Sequence, residues 1–104
     1  MNPNTIAAQV EGGALFGLTA ALYGAITLKN GRVQQGNFHD YRPMRMNECP
    51  LIETRLIKSA DSPGGIGEAP TAAVAPAVTN AIFAATGRRI RTLPIDTTLP
   101  KVSA

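Results

Sequence analysis

The chain has 104 residues, enough for one small domain that on its own would bury about 65% of its unfolded surface. Its single cysteine, Cys49, excludes an intrachain disulfide framework, and one Cys with one His cannot furnish the four ligands of a zinc site. A net charge of +3 with only 5% aromatics falls short of the dense basic and aromatic surface of a nucleic-acid binder, the one tight basic cluster being Arg88, Arg89 and Arg91.

The first residues carry no basic leader region. Asn2 is a favoured helix N-cap, and Pro3 suits a first helical position because its missing N–H had no partner there. Ile6, Val10, Ala14, Leu18, Ala21 and Leu22 then recur at spacings of three and four, which predicts a helix to about Tyr23 that stops at Gly24. The uncharged stretch from Gly12 to Leu28 is shorter than the roughly 20 residues of a bilayer span and is diluted by Gly, Thr and Tyr. It reads as a helix buried in protein, with no membrane span. Gly12, Gly13 and Gly17 each cost about 1 kcal/mol in a helix interior, so close approach of another backbone or of a ligand is expected to offset them.

Ala25–Leu28 and Val33–Gln35 flank Asn30-Gly31, a two-residue turn that predicts an antiparallel hairpin. Residues 37–46 are irregular and polar, with Arg42 and Arg45 expected to pair with Asp40 and Glu48. His39 reads as a hydrogen-bonded structural residue, and Cys49 as a buried small hydrophobe. Leu51 to Ile57 alternates apolar and polar and predicts a strand. After a loop from Ser59 to Pro70, Thr71 is expected to cap a helix over about Ala72–Thr86. Its apolar face is Val74, Val78, Ala81, Ile82 and Ala85, Pro76 lies near its start, and Gly87 is its left-handed stop. The order predicts an α+β fold of two helices with a small mixed or antiparallel sheet over residues 1–95, and a tail over 96–104.

The segment that suggests chemistry is Gly64-Gly65-Ile66-Gly67-Glu68. Three Gly in four residues let backbone N–H groups approach a bulky partner, and a helix N-terminus, which favours negative charge, follows. A carboxylate there suits general-base work. The spacing fits neither a Walker A loop nor a dinucleotide fingerprint, and by pattern alone a solvated turn Glu remains the plainer reading.

Several segments, taken in order, resemble a known family: Asn2-Pro3, Gln9-Val10-Glu11-Gly12-Gly13, Gly17-Leu18, Ala21-Leu22, Asn37-Phe38-His39-Asp40-Tyr41, Arg45-Met46-Asn47-Glu48, Gly64 to Glu68, and Asn80-Ala81-Ile82. They are similar to the C-terminal part of the molybdenum hydroxylase large subunit, of the xanthine dehydrogenase and aldehyde oxidase family. The wording is nearest the isoquinoline 1-oxidoreductase and aldehyde dehydrogenase β-subunit branch. The resemblance implies a fragment of a molybdopterin-binding domain. It implies hydroxylation of an aldehyde or N-heteroaromatic carbon with oxygen from water, through a molybdenum–molybdopterin cytosine dinucleotide cofactor, with iron–sulfur clusters on a partner subunit. It assigns Glu68 as the catalytic base that takes a proton from the molybdenum-bound hydroxyl, and Gln9, Gly65, Ile66 and Gly67 as cofactor contacts. The chain itself supplies no metal ligand.

A chain of this length cannot enclose such a cofactor. The expectation is a truncated or separately encoded piece, inactive alone and active with the remainder of the molybdopterin-binding subunit. The other reading is a non-catalytic remnant or structural interaction module.

Overall fold

The structure, a computed structural model, describes residues 1–95. The tail expected at 96–104 lies outside the described residues. In chain order the elements are helix α1 (Pro3–Leu22), strands β1 (Leu28–Lys29) and β2 (Arg32–Val33), a 3₁₀ turn (Met46–Glu48) and helix α2 (Ala69–Thr86). This is the α+β arrangement of two helices and a small antiparallel sheet, as expected for a piece of a molybdopterin-binding domain.

Helix α1 starts as its sequence dictates. The Asn2 side chain accepts from the Asn4 N–H at 3.0 Å, and Pro3 opens the first turn. The face it buries within the chain is not the aliphatic stripe but Gly13, Gly17 and Ala21, spaced one turn apart; Ile6, Val10, Ala14, Leu18 and Leu22 are only half-buried. These small residues let α2 approach backbone to backbone. A Cβ on Gly13 would lie 3.1 Å from Pro70 Cβ, and one on Gly17 would lie 2.7 Å from the Thr71 carbonyl oxygen. The contacts advance in the same direction along both helices, so α1 and α2 run in parallel.

Helix α2 begins three residues earlier than the sequence suggested. Glu68 occupies the N-cap position, Pro70 falls in the first turn, and Thr71 is inside the helix rather than its cap. Pro is pre-set for a first turn, which explains the earlier start. Pro76 therefore sits well inside the helix, where it removes a backbone donor. Gly87 ends α2 in the left-handed region, φ 69°, as predicted. Ile95 then returns to α1, its N–H donating to the Ala21 carbonyl at 2.7 Å.

Leu28 pairs with Val33 and Lys29 with Arg32. The strands are shorter than expected, and the turn between them has φ 50° at Asn30 and φ 74° at Gly31, the two positive angles of a type I′ turn. No strand forms at residues 51–57. A ladder needs a second strand to bond to, and among the described residues no third strand lies beside the hairpin. The buried Thr54 hydroxyl in that segment has no hydrogen-bond partner.

The chain is open. Among the described residues only Ala21 and Ile95 are buried apolar residues. Phe38, Met46, Leu51 and Ile57 are each at least 85% exposed.

Candidate functional site

Where α1 passes the N-terminus of α2, the two helices border an open cleft of about 570 Å³. Gln9, Gly12, Gly13 and Phe16 line it from α1, and Gly67, Glu68, Thr71 and Ala72 line it from the other side. The structure thus brings Gln9, Gly67 and Glu68 together, although 58 and 59 residues of sequence separate Gln9 from the other two. The Gln9 carboxamide nitrogen donates to the Gly67 carbonyl at 3.4 Å. Four residues further along each segment, the Thr71 hydroxyl donates to the Gly13 carbonyl at 3.0 Å.

Glu68 ends the glycine loop and opens α2. Its backbone carbonyl accepts from the N–H groups of Thr71 at 3.0 Å and Ala72 at 3.3 Å. Its side chain makes no capping hydrogen bond, so the carboxylate is not consumed by the helix it precedes. An exposed carboxylate on a cleft wall, beside a carboxamide, is able to accept a proton from a molecule in the cleft.

Glycines on this face differ from those between the helices. At Gly12, Gly64, Gly65 and Gly67, among the described residues, no heavy atom other than those of the chain neighbours and the local helix backbone lies within 4 Å of where a Cβ would be, and none of the four has the positive φ that calls for glycine. Neither local backbone nor neighbours within the chain explain them. They leave bare backbone facing outward around the cleft, the surface a large flat ligand needs for close approach. Gly65 and Ile66 are not in the Glu68 cleft. They line a second groove of about 480 Å³ with Ile6, Leu56 and Ile57, on the other side of the same loop.

Two further cleft residues were not read as site residues from the sequence. Phe16, 70% exposed, and Thr71 share the cleft with Glu68. The helical spacing of Phe16 from Gln9 and Gly12 was the available signal for the first; the second was read only as a helix cap.

The other polar residues have structural work or none. His39 is exposed, its imidazole 3.8 Å from the Asp40 carboxylate. Cys49 is exposed rather than buried, its thiol donating to the Arg45 carbonyl at 3.4 Å. It follows a 3₁₀ turn on the surface, which turns it away from any core. Glu48 accepts from the Tyr23 hydroxyl at 2.9 Å, the Arg45 backbone N–H at 2.8 Å and the Arg42 guanidinium, which also lies 4.3 Å over the Tyr23 ring. The expected pairing of Arg42 with Glu48 is therefore present. Asp40 instead takes the backbone N–H groups of Gly36 and Asn37, and Arg45 contributes its backbone, not its guanidinium. Among the described residues no group of three or more His, Cys, Asp or Glu side chains could hold a metal ion. By length and hydropathy alone α1 is long and apolar enough to cross a membrane.

Comparison with known proteins places these features in a family. Residues 1–50 match the family described as the molybdopterin cofactor-binding domain. The chain is 35% identical over 100 residues to the isoquinoline 1-oxidoreductase subunit beta of Brevundimonas diminuta, covering 96% of this chain and 13% of that protein. It is 37% identical over 95 residues to a membrane-bound aldehyde dehydrogenase of Gluconacetobacter polyoxogenes, whose name carries pyrroloquinoline quinone, covering 91% and 12%. It is 34% identical over 102 residues to a xanthine dehydrogenase molybdenum-binding subunit of Escherichia coli, covering 91% and 14%. The chain spans about one-eighth of the length of these relatives. Matched along nearly all of its own length, it belongs to the xanthine dehydrogenase and aldehyde oxidase family of molybdenum hydroxylases, as part of a molybdopterin-binding domain.

Proposed function

We propose that this chain supplies the proton-accepting segment of a molybdopterin-dependent oxidoreductase. The enzyme hydroxylates a carbon of an aldehyde or N-heteroaromatic compound with oxygen from water, and Glu68 is its general base. The observation that carries this reading is the meeting of Gln9, Gly67 and Glu68 on one cleft. Residues 1–95 act as part of the catalytic domain.

The residues present fit the cofactor. Space for a Cβ stands empty at Gly12 and Gly67 on the cleft and at Gly65 beside it, so a planar pterin can lie against backbone. Gln9 and Gly67 hold it on the cleft in this reading, and Gly65 and Ile66, which line the second groove, hold a part of it that extends past the loop. The molybdenum pterin, in its cytosine dinucleotide form, supplies the two-electron redox chemistry when bound, and iron–sulfur clusters on a partner subunit carry the electrons away. The chain's own contribution is acid–base. Glu68 takes a proton at a carboxylate oxygen from the water-derived nucleophile as that nucleophile attacks the substrate carbon, a role worth about 10²- to 10⁴-fold in rate. Gln9 fixes the loop that presents it, through the Gly67 carbonyl.

An open fold with so thin a core does not enclose a cofactor, so the chain alone is inactive and works with the remainder of a molybdopterin-binding subunit. The test is a chimeric enzyme in which this chain replaces the matching stretch of the Brevundimonas diminuta subunit beta, co-produced with the other subunits of that enzyme. The expected result is bound molybdenum without pyrroloquinoline quinone, and oxygen-18 from labelled water in the product. A chimera that assembles without molybdenum, or with the metal but no turnover, rejects the catalytic reading in favour of a structural module.

A further inference from the structure

We propose that Thr71 is a positioning residue, whose hydroxyl bond to the Gly13 carbonyl sets Glu68 in the cleft; the inference rests on the reading of Glu68 as the base.

Nothing on its own loop holds Glu68. Its side chain caps no helix, and the glycines before it make no contact that a side chain there would disturb. What holds its backbone is the first turn of α2, through the Thr71 and Ala72 N–H groups on the Glu68 carbonyl. That turn is in turn tied to α1 by the Thr71 hydroxyl on Gly13, at 3.0 Å and half-buried. Thr71 thus bonds through its backbone to Glu68 and through its side chain to the opposite wall of the same cleft. The neighbouring tie, Gln9 to Gly67, is one helical turn away on α1 and is longer at 3.4 Å. Glu68 sits between the two ties, and the shorter bond comes from Thr71.

Packing and positioning separate cleanly here. The contact at Gly17 is made by the Thr71 backbone and by Val74, so α2 stays packed on α1 when the Thr71 hydroxyl is removed. Valine has the shape of threonine without the donor, and serine keeps the donor. The freed first turn gains slack, and displacement of a catalytic group by about 1 Å can cost as much as 100-fold in rate.

The experiment compares Thr71→Val, Thr71→Ser and Glu68→Gln in the chimeric enzyme. Thr71→Val is expected to lower kcat roughly 10- to 100-fold at unchanged KM and molybdenum content. Amide hydrogen exchange at residues 71 and 72 should run roughly five- to ten-fold faster, the factor one hydrogen bond carries. Thr71→Ser should restore both readouts to about the unsubstituted level. Unchanged exchange in Thr71→Val overturns the tie whatever Glu68 does. Faster exchange with unchanged kcat overturns the positioning role, as does a Ser variant no better than Val. Where Val does not assemble, Thr71→Ala is read by the same two measurements. Full turnover in Glu68→Gln would instead remove the base assignment and leave the exchange result to judge the tie alone.

Discussion

Gly17 and Thr71 meet with no room for a side chain: a Cβ at position 17 would fall 2.7 Å from the Thr71 carbonyl oxygen. Backbone cannot yield as a side-chain tip can. Gly17→Ala is therefore expected to push α2 away from α1 at a cost of about 1–3 kcal/mol, the usual range for overpacking. Gly12→Ala should behave in the opposite sense. It meets nothing within 4 Å and gains about 1 kcal/mol of helix propensity, but it places a methyl group on the cleft wall. The thermal midpoint of the chimeric enzyme should drop for Gly17→Ala and rise slightly for Gly12→Ala, while molybdenum content drops in Gly12→Ala. Equal effects of the two substitutions on stability would contradict this division.

Glu48 ties the irregular segment before it to the end of α1, and its charge makes that tie pH-dependent. The Arg45 backbone N–H, then the Tyr23 hydroxyl and the Arg42 guanidinium, hold its carboxyl below the usual range. A carboxyl so lowered contributes stability above its unfolded value, and the contribution is lost as pH falls through the lower folded value. The Tyr23 hydroxyl is raised, chiefly because it donates to Glu48. Its contribution is complete below the ordinary tyrosine range and is lost as pH rises through the higher folded value. The tie should hold between those limits and loosen at both. Tyr23 fluorescence against pH checks this: Glu48→Gln should flatten the acid limb, and an unaltered acid limb would exclude Glu48 as its origin.

The Asn30-Gly31 turn offers a control remote from the cleft. Gly31 has φ 74°, where an L side chain costs roughly 1–2 kcal/mol. Gly31→Ala should speed amide exchange at Arg32, Val33 and Gln34, whose N–H donates to the Thr27 carbonyl at 2.9 Å. The chimeric enzyme should keep its turnover; a loss would tie the hairpin to the site.

What was legible from residues alone were the local signals. The Asn2 cap with Pro3, the Asn30-Gly31 turn and the Gly87 stop each act within a few residues, and each is realised. Features that depend on a distant partner were not. The alternation of Leu51 to Ile57 describes an edge that could pair, but within the described residues it has no strand to pair with. The bond from nearby Arg42 to Glu48 was expected and is present, but the Tyr23 partner of Glu48, 25 positions away, was not foreseen. For the site, the pattern gave a glycine-flanked carboxylate and left a solvated Glu as the plainer reading. Gln9 entered through family resemblance alone. Only the fold brings the two together, by laying a glycine-notched helix beside the first turn of α2.

The most direct measurement is turnover of the chimeric enzyme carrying Glu68→Gln, made alongside its molybdenum content. Glutamine keeps the size of the side chain and its place on the cleft but cannot accept the proton. The account predicts full molybdenum with turnover reduced roughly 10²- to 10⁴-fold, whereas full molybdenum with turnover within about two-fold of the unsubstituted enzyme would contradict it.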